Sequence, residues 1–127
     1  MRGGELERYL AEVFALLGYA VEAIGKSGDQ GVDLIVAKNG TRIAVQVKGY
    51  YNSVNNAAIQ QVHAGMIYYK CQRCAVITNS RFTRSAKALA DSTGCTLIDE
   101  SNFRHFVFGT VDLIVCMNSS TTTVSGS

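Results

Sequence analysis

The chain has no proline among its 127 residues, so element boundaries must be read from glycine, asparagine and threonine. It also lacks a long apolar run. None approaches the roughly 18 to 20 residues that a membrane-crossing helix needs, and the first residues carry no signal-peptide pattern. No membrane association and a cytoplasmic setting are therefore expected. Charge of one sign is scarce too: 12 Lys and Arg stand against 10 Asp and Glu, a net +2 that neither demands nor opposes a nucleic-acid partner. A second CxxC pair is missing. Cys71 and Cys74 form one such pair, but Cys95 and Cys116 supply no other, so a four-thiolate zinc site has no basis. A redox pair would open a helix after a strand, whereas Cys74 leads into the strand-like "CAVIT". The cysteines read as reduced structural thiols, and the lone His63 and His105 as structural. "GKS" at 25–27 has Ala20 where a phosphate-binding loop needs its first glycine, and no helix follows it.

What is present is a globular composition, 47% hydrophobic and 17% charged. The length fits one domain with a core of useful size. "GELERYLAEVFALLGY" reads as a helix whose stripe is Leu6, Leu10, Val13, Phe14 and Leu17, ended by Gly18. "AVEAI" (20–24), "VDLIVA" (32–37) and "RIAVQVK" (42–48) read as strands, the last two joined by the hairpin signal Asn39-Gly40. A helix capped near Asn55 follows, then the strand 74–78. A helix from Thr83 to Gly94, the strand 95–99 and a short helix over "SNFRHFVFG" come next. Residues 111–117 fit an edge strand or a helical turn, and the Ser/Thr-rich 118–127 is expected to be a disordered tail. The order predicts an α/β domain over 1–117, with a mixed central sheet of about five strands flanked by helices.

Three polar residues interrupt this pattern. If Asn39 and Gly40 are the central turn residues, Lys38 pairs with Thr41, Ile35 with Ala44 and Asp33 with Gln46. Side chains alternate along a strand, so Asp33, Gln46 and Lys48 fall on one face. A buried Asp33–Lys48 ion pair with Gln46 as spacer would stabilise little over apolar residues of the same volume. An acid, an amide and an amine converging on one patch suit a charged ligand better. On the first helix, Glu7 lies at the border of the apolar stripe and is the acid there that looks toward the sheet. Carboxylates beside a lysine suit metal-assisted phosphodiester hydrolysis, in which Mg²⁺ takes one or two carboxylates, waters and phosphate oxygens. In such a site Gln46→Glu is expected to bind the cation as well or better.

Leu6-Glu7, "LGY" (17–19), "GDQGVDLI" (28–35), "VQVK" (45–48) and the "VIT…FT…A" run from Val76 to Ala86 together resemble the Mrr-like restriction endonuclease domain of the PD-(D/E)xK nuclease superfamily. The match spans nearly the whole recognisable domain. The resemblance implies a restriction-endonuclease-like three-layer core and a metal-dependent DNA endonuclease acting in restriction of modified or foreign DNA. It implies Asp33 as metal ligand, Lys48 as catalytic lysine, Gln46 in place of the superfamily's second acid and Glu7 as the helix-borne acid. With one charge fewer, Mg²⁺ (or Mn²⁺) would lean on Asp33, the Val47 carbonyl and Glu7. Either Gln60 or Gln61 resembles a further polar position near the site. DNA is the expected partner, met by Lys26, Arg81, Arg84 and Gln60, and a homodimer is the expected assembly. The alternatives are a structure-specific (junction-type) nuclease and a catalytically weak DNA-binding or self-association module.

Overall fold

The computed structural model describes residues 3–24, 31–49 and 52–107. The element order is α1 (Gly3–Leu16), β1 (Ala20–Ala23), β2 (Leu34–Lys38), β3 (Thr41–Lys48), α2 (Asn56–Tyr68), β4 (Arg73–Thr78), α3 (Arg84–Thr93), β5 (Thr96–Ile98) and α4 (Glu100–Val107). Lys26, the 111–117 segment and the expected tail lie outside the described residues, as does the end of the expected domain.

The five strands form one sheet in the order β1-β2-β3-β4-β5. The first three are antiparallel neighbours, and β3, β4 and β5 run parallel. The mixed sheet follows from the connections: a two-residue turn joins β2 to β3, whereas α2 and α3 carry the chain over to each next parallel strand. Asn39 (φ 55°) and Gly40 (φ 82°) both take positive φ, as a primed hairpin turn demands. The pairs Lys38–Thr41 and Ile35–Ala44 form as the sequence predicts, and the ladder continues to Leu34–Val45.

Helices cover both faces. Leu6, Leu10, Val13 and Phe14 of α1 pack on Leu34, Val36, Ile43, Val45 and Val47. Phe103 of α4 joins that side and stacks on Tyr9 with ring centroids 6.2 Å apart. On the other face, Ala58, Ile59 and Val62 of α2 and Ala86 and Ala90 of α3 meet Ile35, Ala44, Cys74 and Val76. The strands' period-two alternation thus sorts the apolar side chains into two cores, one on each face.

The expected caps also form. Asn55 Oδ1 accepts from the Ala57 N–H, Thr83 Oγ1 accepts from the Ala86 N–H, and Gly94 closes α3 in the left-handed region. At the end of α1, Gly18 donates to the Ala15 carbonyl and Tyr19 to the Phe14 carbonyl, a Schellman pairing that only a left-handed residue at 18 (φ 96°) permits. No helix among the described residues is long and apolar enough to cross a membrane.

Candidate active site

The odd acid of the hairpin stands one residue ahead of β2, not within it as the sequence pattern predicts. The backbone explains its place. Asp33 donates its N–H to the Val45 carbonyl at 2.8 Å, and its carbonyl accepts from Ile24 at 2.9 Å. Its Oδ2 then accepts the Val47 N–H at 2.7 Å. A carboxylate has taken over the acceptor role that a strand carbonyl would supply, and this bond fixes the carboxyl group beside Val47.

Gln46 follows Val45 on β3 and turns to the opposite face, toward α2. It is 5% exposed. Its Nε2 donates to the Gly31 carbonyl at 3.0 Å and to Gln61 Oε1 at 3.1 Å. A carbonyl can only accept, so the Gly31 bond requires the NH₂ end of the amide there and assigns the oxygen to the other side. That oxygen, Oε1, is buried and has no hydrogen-bond partner among the described residues. A buried acceptor left unpaired costs about 1–3 kcal/mol, and a pocket that admits water or a cation removes that cost.

Lys48 ends β3. Its carbonyl accepts from Thr78 Oγ1 at 2.6 Å, and the same hydroxyl accepts from the Ser80 N–H at 3.1 Å. The bond ties the last residue of β3 to the last of β4, its register partner. Gly31, Asp33, Gln46, Val47, Lys48 and Gln61 line one open pocket of about 400 Å³. Lys48 and Gln61 also border a neighbouring pocket of about 270 Å³, lined by Ser53, Val54, Asn55, Ala57 and Ala58 where α2 begins.

The pocket therefore brings together Asp33, Gln46, Val47 and Lys48. Glu7 is half-buried on α1 and is not among the residues lining it. Its helix covers the sheet face of Val45 and Val47, the reverse of the face that carries Gln46 and Lys48. Arg81 and Arg84 are exposed near the C-terminal end of β4, the sheet edge on which Lys48 also lies. Arg81 comes within 3.9 Å of Glu100, both side chains remaining largely in solvent. Gln60 is exposed on α2.

Of the two neighbouring glutamines, Gln61 is the one that reaches the site. A signal for it was available: Ala58, Val62 and Gly65 are buried on α2, and Gln61 is spaced three or four residues from Ala58 and Gly65, while Gln60 shares its face with the exposed Ala57 and Ala64. Gly31 is the second residue of this kind, and it acts through its backbone.

The side-chain acceptors that Asp33 and Gln46 bring to these residues are oxygens, a carboxylate and a buried amide oxygen. No group of three or more His, Cys, Asp or Glu able to hold a metal ion occurs among the described residues. A soft or thiolate-loving ion is poorly served. A hard cation that keeps several waters and needs only one or two carboxylates fits, and the unpartnered Gln46 oxygen is the observation that favours it.

Comparison with known proteins bears on the family and the fold. The family model Mrr_cat, a restriction endonuclease, matches residues 1–107. The Type IV methyl-directed restriction enzyme EcoKMrr of Escherichia coli (strain K12) is 29% identical over 110 residues, covering 80% of this chain and 36% of that protein. The chain thus spans about a third of that relative's length. Among solved structures, a protein of unknown function, AF1548, superposes with a TM-score of 0.70 at 14% identity, over 91% of this chain and 76% of that one. The DNA modification-dependent restriction endonuclease AspBHI gives 0.66 at 15% identity, over 94% of this chain and 36% of its own. MspJI restriction endonuclease, solved in complex with a 27-mer oligonucleotide, gives 0.56 at 21% identity, over 95% of this chain and 32% of its own. These structural likenesses establish the restriction-endonuclease fold.

Proposed function

The chain belongs to the Mrr_cat restriction endonuclease family, and from that premise we propose that it is a Mg²⁺-dependent endonuclease hydrolysing phosphodiester bonds of modified or foreign DNA. The observation that carries this reading is the buried, unpartnered oxygen of Gln46, a residue that lines one pocket with Asp33 and Lys48. Asp33, Gln46 Oε1 and the Val47 carbonyl would hold the ion, with Mn²⁺ as a substitute. Bound there, the ion would polarise a phosphate oxygen and lower the pKa of a bound water.

The chain's own groups do the rest. Lys48 stands where an ammonium can orient the attacking water and offset charge that develops on the phosphoryl oxygens. The Thr78 hydroxyl, by holding the Lys48 carbonyl, fixes the backbone from which that side chain projects. Arg81 and Arg84 lie toward the same end of the parallel strands, the end at which open α/β sheets bind ligands, and contact phosphates without reading bases. Gln60 and Lys26 are proposed as further DNA contacts. One pocket per chain cuts one strand, so a second copy is the proposed partner for cutting both. The oligonucleotide bound by MspJI supports DNA as the substrate.

The test is nicking of supercoiled plasmid, methylated and unmethylated, with and without Mg²⁺, by wild type and Asp33→Ala. Metal-dependent nicking that Asp33→Ala abolishes supports the reading. Undiminished nicking by Asp33→Ala removes the assignment.

A further inference from the structure

The resemblance sets Gln46 in the place of a second acid, as though a charge had been lost. Its hydrogen bonds suggest a different reason for the amide. Nε2 is gripped from two sides by acceptors, the Gly31 carbonyl at 3.0 Å and Gln61 Oε1 at 3.1 Å. These partners come from different parts of the chain: Gly31 precedes β2, and Gln61 is on α2. They are also locked to each other. A Cβ placed on Gly31 would meet the Gln61 carbonyl oxygen at 2.7 Å and its carbonyl carbon at 2.9 Å, so the loop backbone lies directly against the helix backbone. The Gly31 carbonyl therefore cannot retreat without moving α2 or the loop, and Gln61 Oε1 reaches the amide from a backbone that this contact anchors.

We propose that Gly31 and Gln61 form a clamp that holds the Gln46 amide in one orientation, its nitrogen on these two acceptors and its oxygen on the opposite side, and that Gln61 is a positioning residue of this centre. The proposal rests on the cation reading above for the use of that oxygen, but the clamp itself does not. Without it, the amide can rotate and set an NH₂ where the unpartnered oxygen now stands, which repels a cation. The clamp also reverses the expectation drawn from sequence for Gln46→Glu. A carboxylate there sets an oxygen, in place of the nitrogen, about 3 Å from both acceptors. Gln61 can turn its own amide to donate. The Gly31 carbonyl cannot, so the centre accepts an amide and penalises an acid.

Two measurements on the full chain, without DNA, test this. The first is hydrogen exchange of the Gln46 side-chain NH₂ by NMR in metal-free protein. The clamp predicts protection in wild type and faster exchange in Gln61→Met, which keeps side-chain length but cannot accept from the amide. Exchange of the wild-type amide at the rate of a solvent-exposed glutamine overturns the clamp whatever the metal does.

The second measurement is calorimetric titration with Mn²⁺ of wild type, Gln61→Met, Gln61→Glu and Gln46→Glu. Losing one of two hydrogen bonds should weaken Mn²⁺ binding by Gln61→Met about two- to tenfold. Gln61→Glu retains the acceptor and should bind at least as tightly as wild type. Gln46→Glu should bind no tighter than wild type. Tighter binding by Gln46→Glu, or unchanged binding by Gln61→Met, overturns the positioning role. Wild-type protein that binds no Mn²⁺ overturns the cation reading and the use given to the oxygen, while the exchange data still decide the clamp.

Discussion

Replacing Gly31 by alanine tests the junction between the loop, the strand and α2 with a single methyl group. Two costs add. The first is conformational: Gly31 has φ 76°, a left-handed backbone that costs an L-residue about 1–2 kcal/mol. The second is steric, since the new Cβ would lie 2.7 Å from the Gln61 carbonyl oxygen and 2.9 Å from the Gln61 Cβ and carbonyl carbon. The nearest of these atoms belong to helix backbone and cannot rotate away, so α2 or the loop must shift at about 1–3 kcal/mol, the usual range for overpacking. The sum is about 2–5 kcal/mol, a large part of the roughly 5–15 kcal/mol that holds a domain of this size folded.

The molecule contains its own control. Gly40 (φ 82°) and Gly94 (φ 78°) are equally left-handed, but a Cβ on either meets nothing within 4 Å. Gly40→Ala and Gly94→Ala should carry only the conformational cost, about 1–2 kcal/mol. Urea unfolding of the three variants isolates the steric part, provided their m-values agree. A Gly31→Ala variant no less stable than the two controls would refute the close approach of loop and helix. With it would go the rigidity attributed to the clamp.

Other expected outcomes follow from the same geometry. Asp33→Ala and Lys48→Ala should each lower metal-dependent cleavage at least about 100-fold, as for loss of a principal electrostatic element, measured by single-turnover cleavage. Asp33→Ala should also destabilise by about 1–3 kcal/mol because the Val47 N–H loses its acceptor, whereas Asp33→Asn, which keeps an oxygen there, should lose activity with much less stability. Thr78→Val removes the hydroxyl that bridges the Lys48 carbonyl and the Ser80 N–H, and should cost about 1–3 kcal/mol in denaturant unfolding. DNA affinity should fall steeply between low and physiological salt. Arg81→Ala and Arg84→Ala should each reduce the slope of log K against log salt by about 1, and a slope unchanged in both would place the phosphates elsewhere.

The parts of this molecule that could be read in advance are those whose cause is local. Asn39-Gly40 demands a primed turn, the turn sets the register, and the register places Gln46 and Lys48 on one face. Thr83, Asn55 and Gly94 announce their helix ends because the capping group is the residue itself. Asp33 shows where that logic stops. The alternation in "VDLIVA" cannot reveal that the ladder's next bond is made by a side chain, so the strand begins two residues late, at Leu34. Glu7 marks a second limit. A helical wheel gives the angle of Glu7 about its own axis, but not the sheet face over which α1 lies, which is that of Val45 and Val47.

Gln61 marks a third limit, and the most consequential one for function. Its contact with Gln46 spans 15 residues, as does the contact of Gln46 with Gly31. Each partner looks ordinary in its own segment: a loop glycine, a strand amide and a helix glutamine on a largely exposed position. The sequence supplies the chemical types, and only the packed helix decides which amide atom is bonded and which is left unpartnered. Since an amide offers a donor on one side and an acceptor on the other, that choice separates a centre that attracts a cation from one that repels it. The orientation of one buried carboxamide is therefore a tertiary property, and it is set by Gly31 and Gln61.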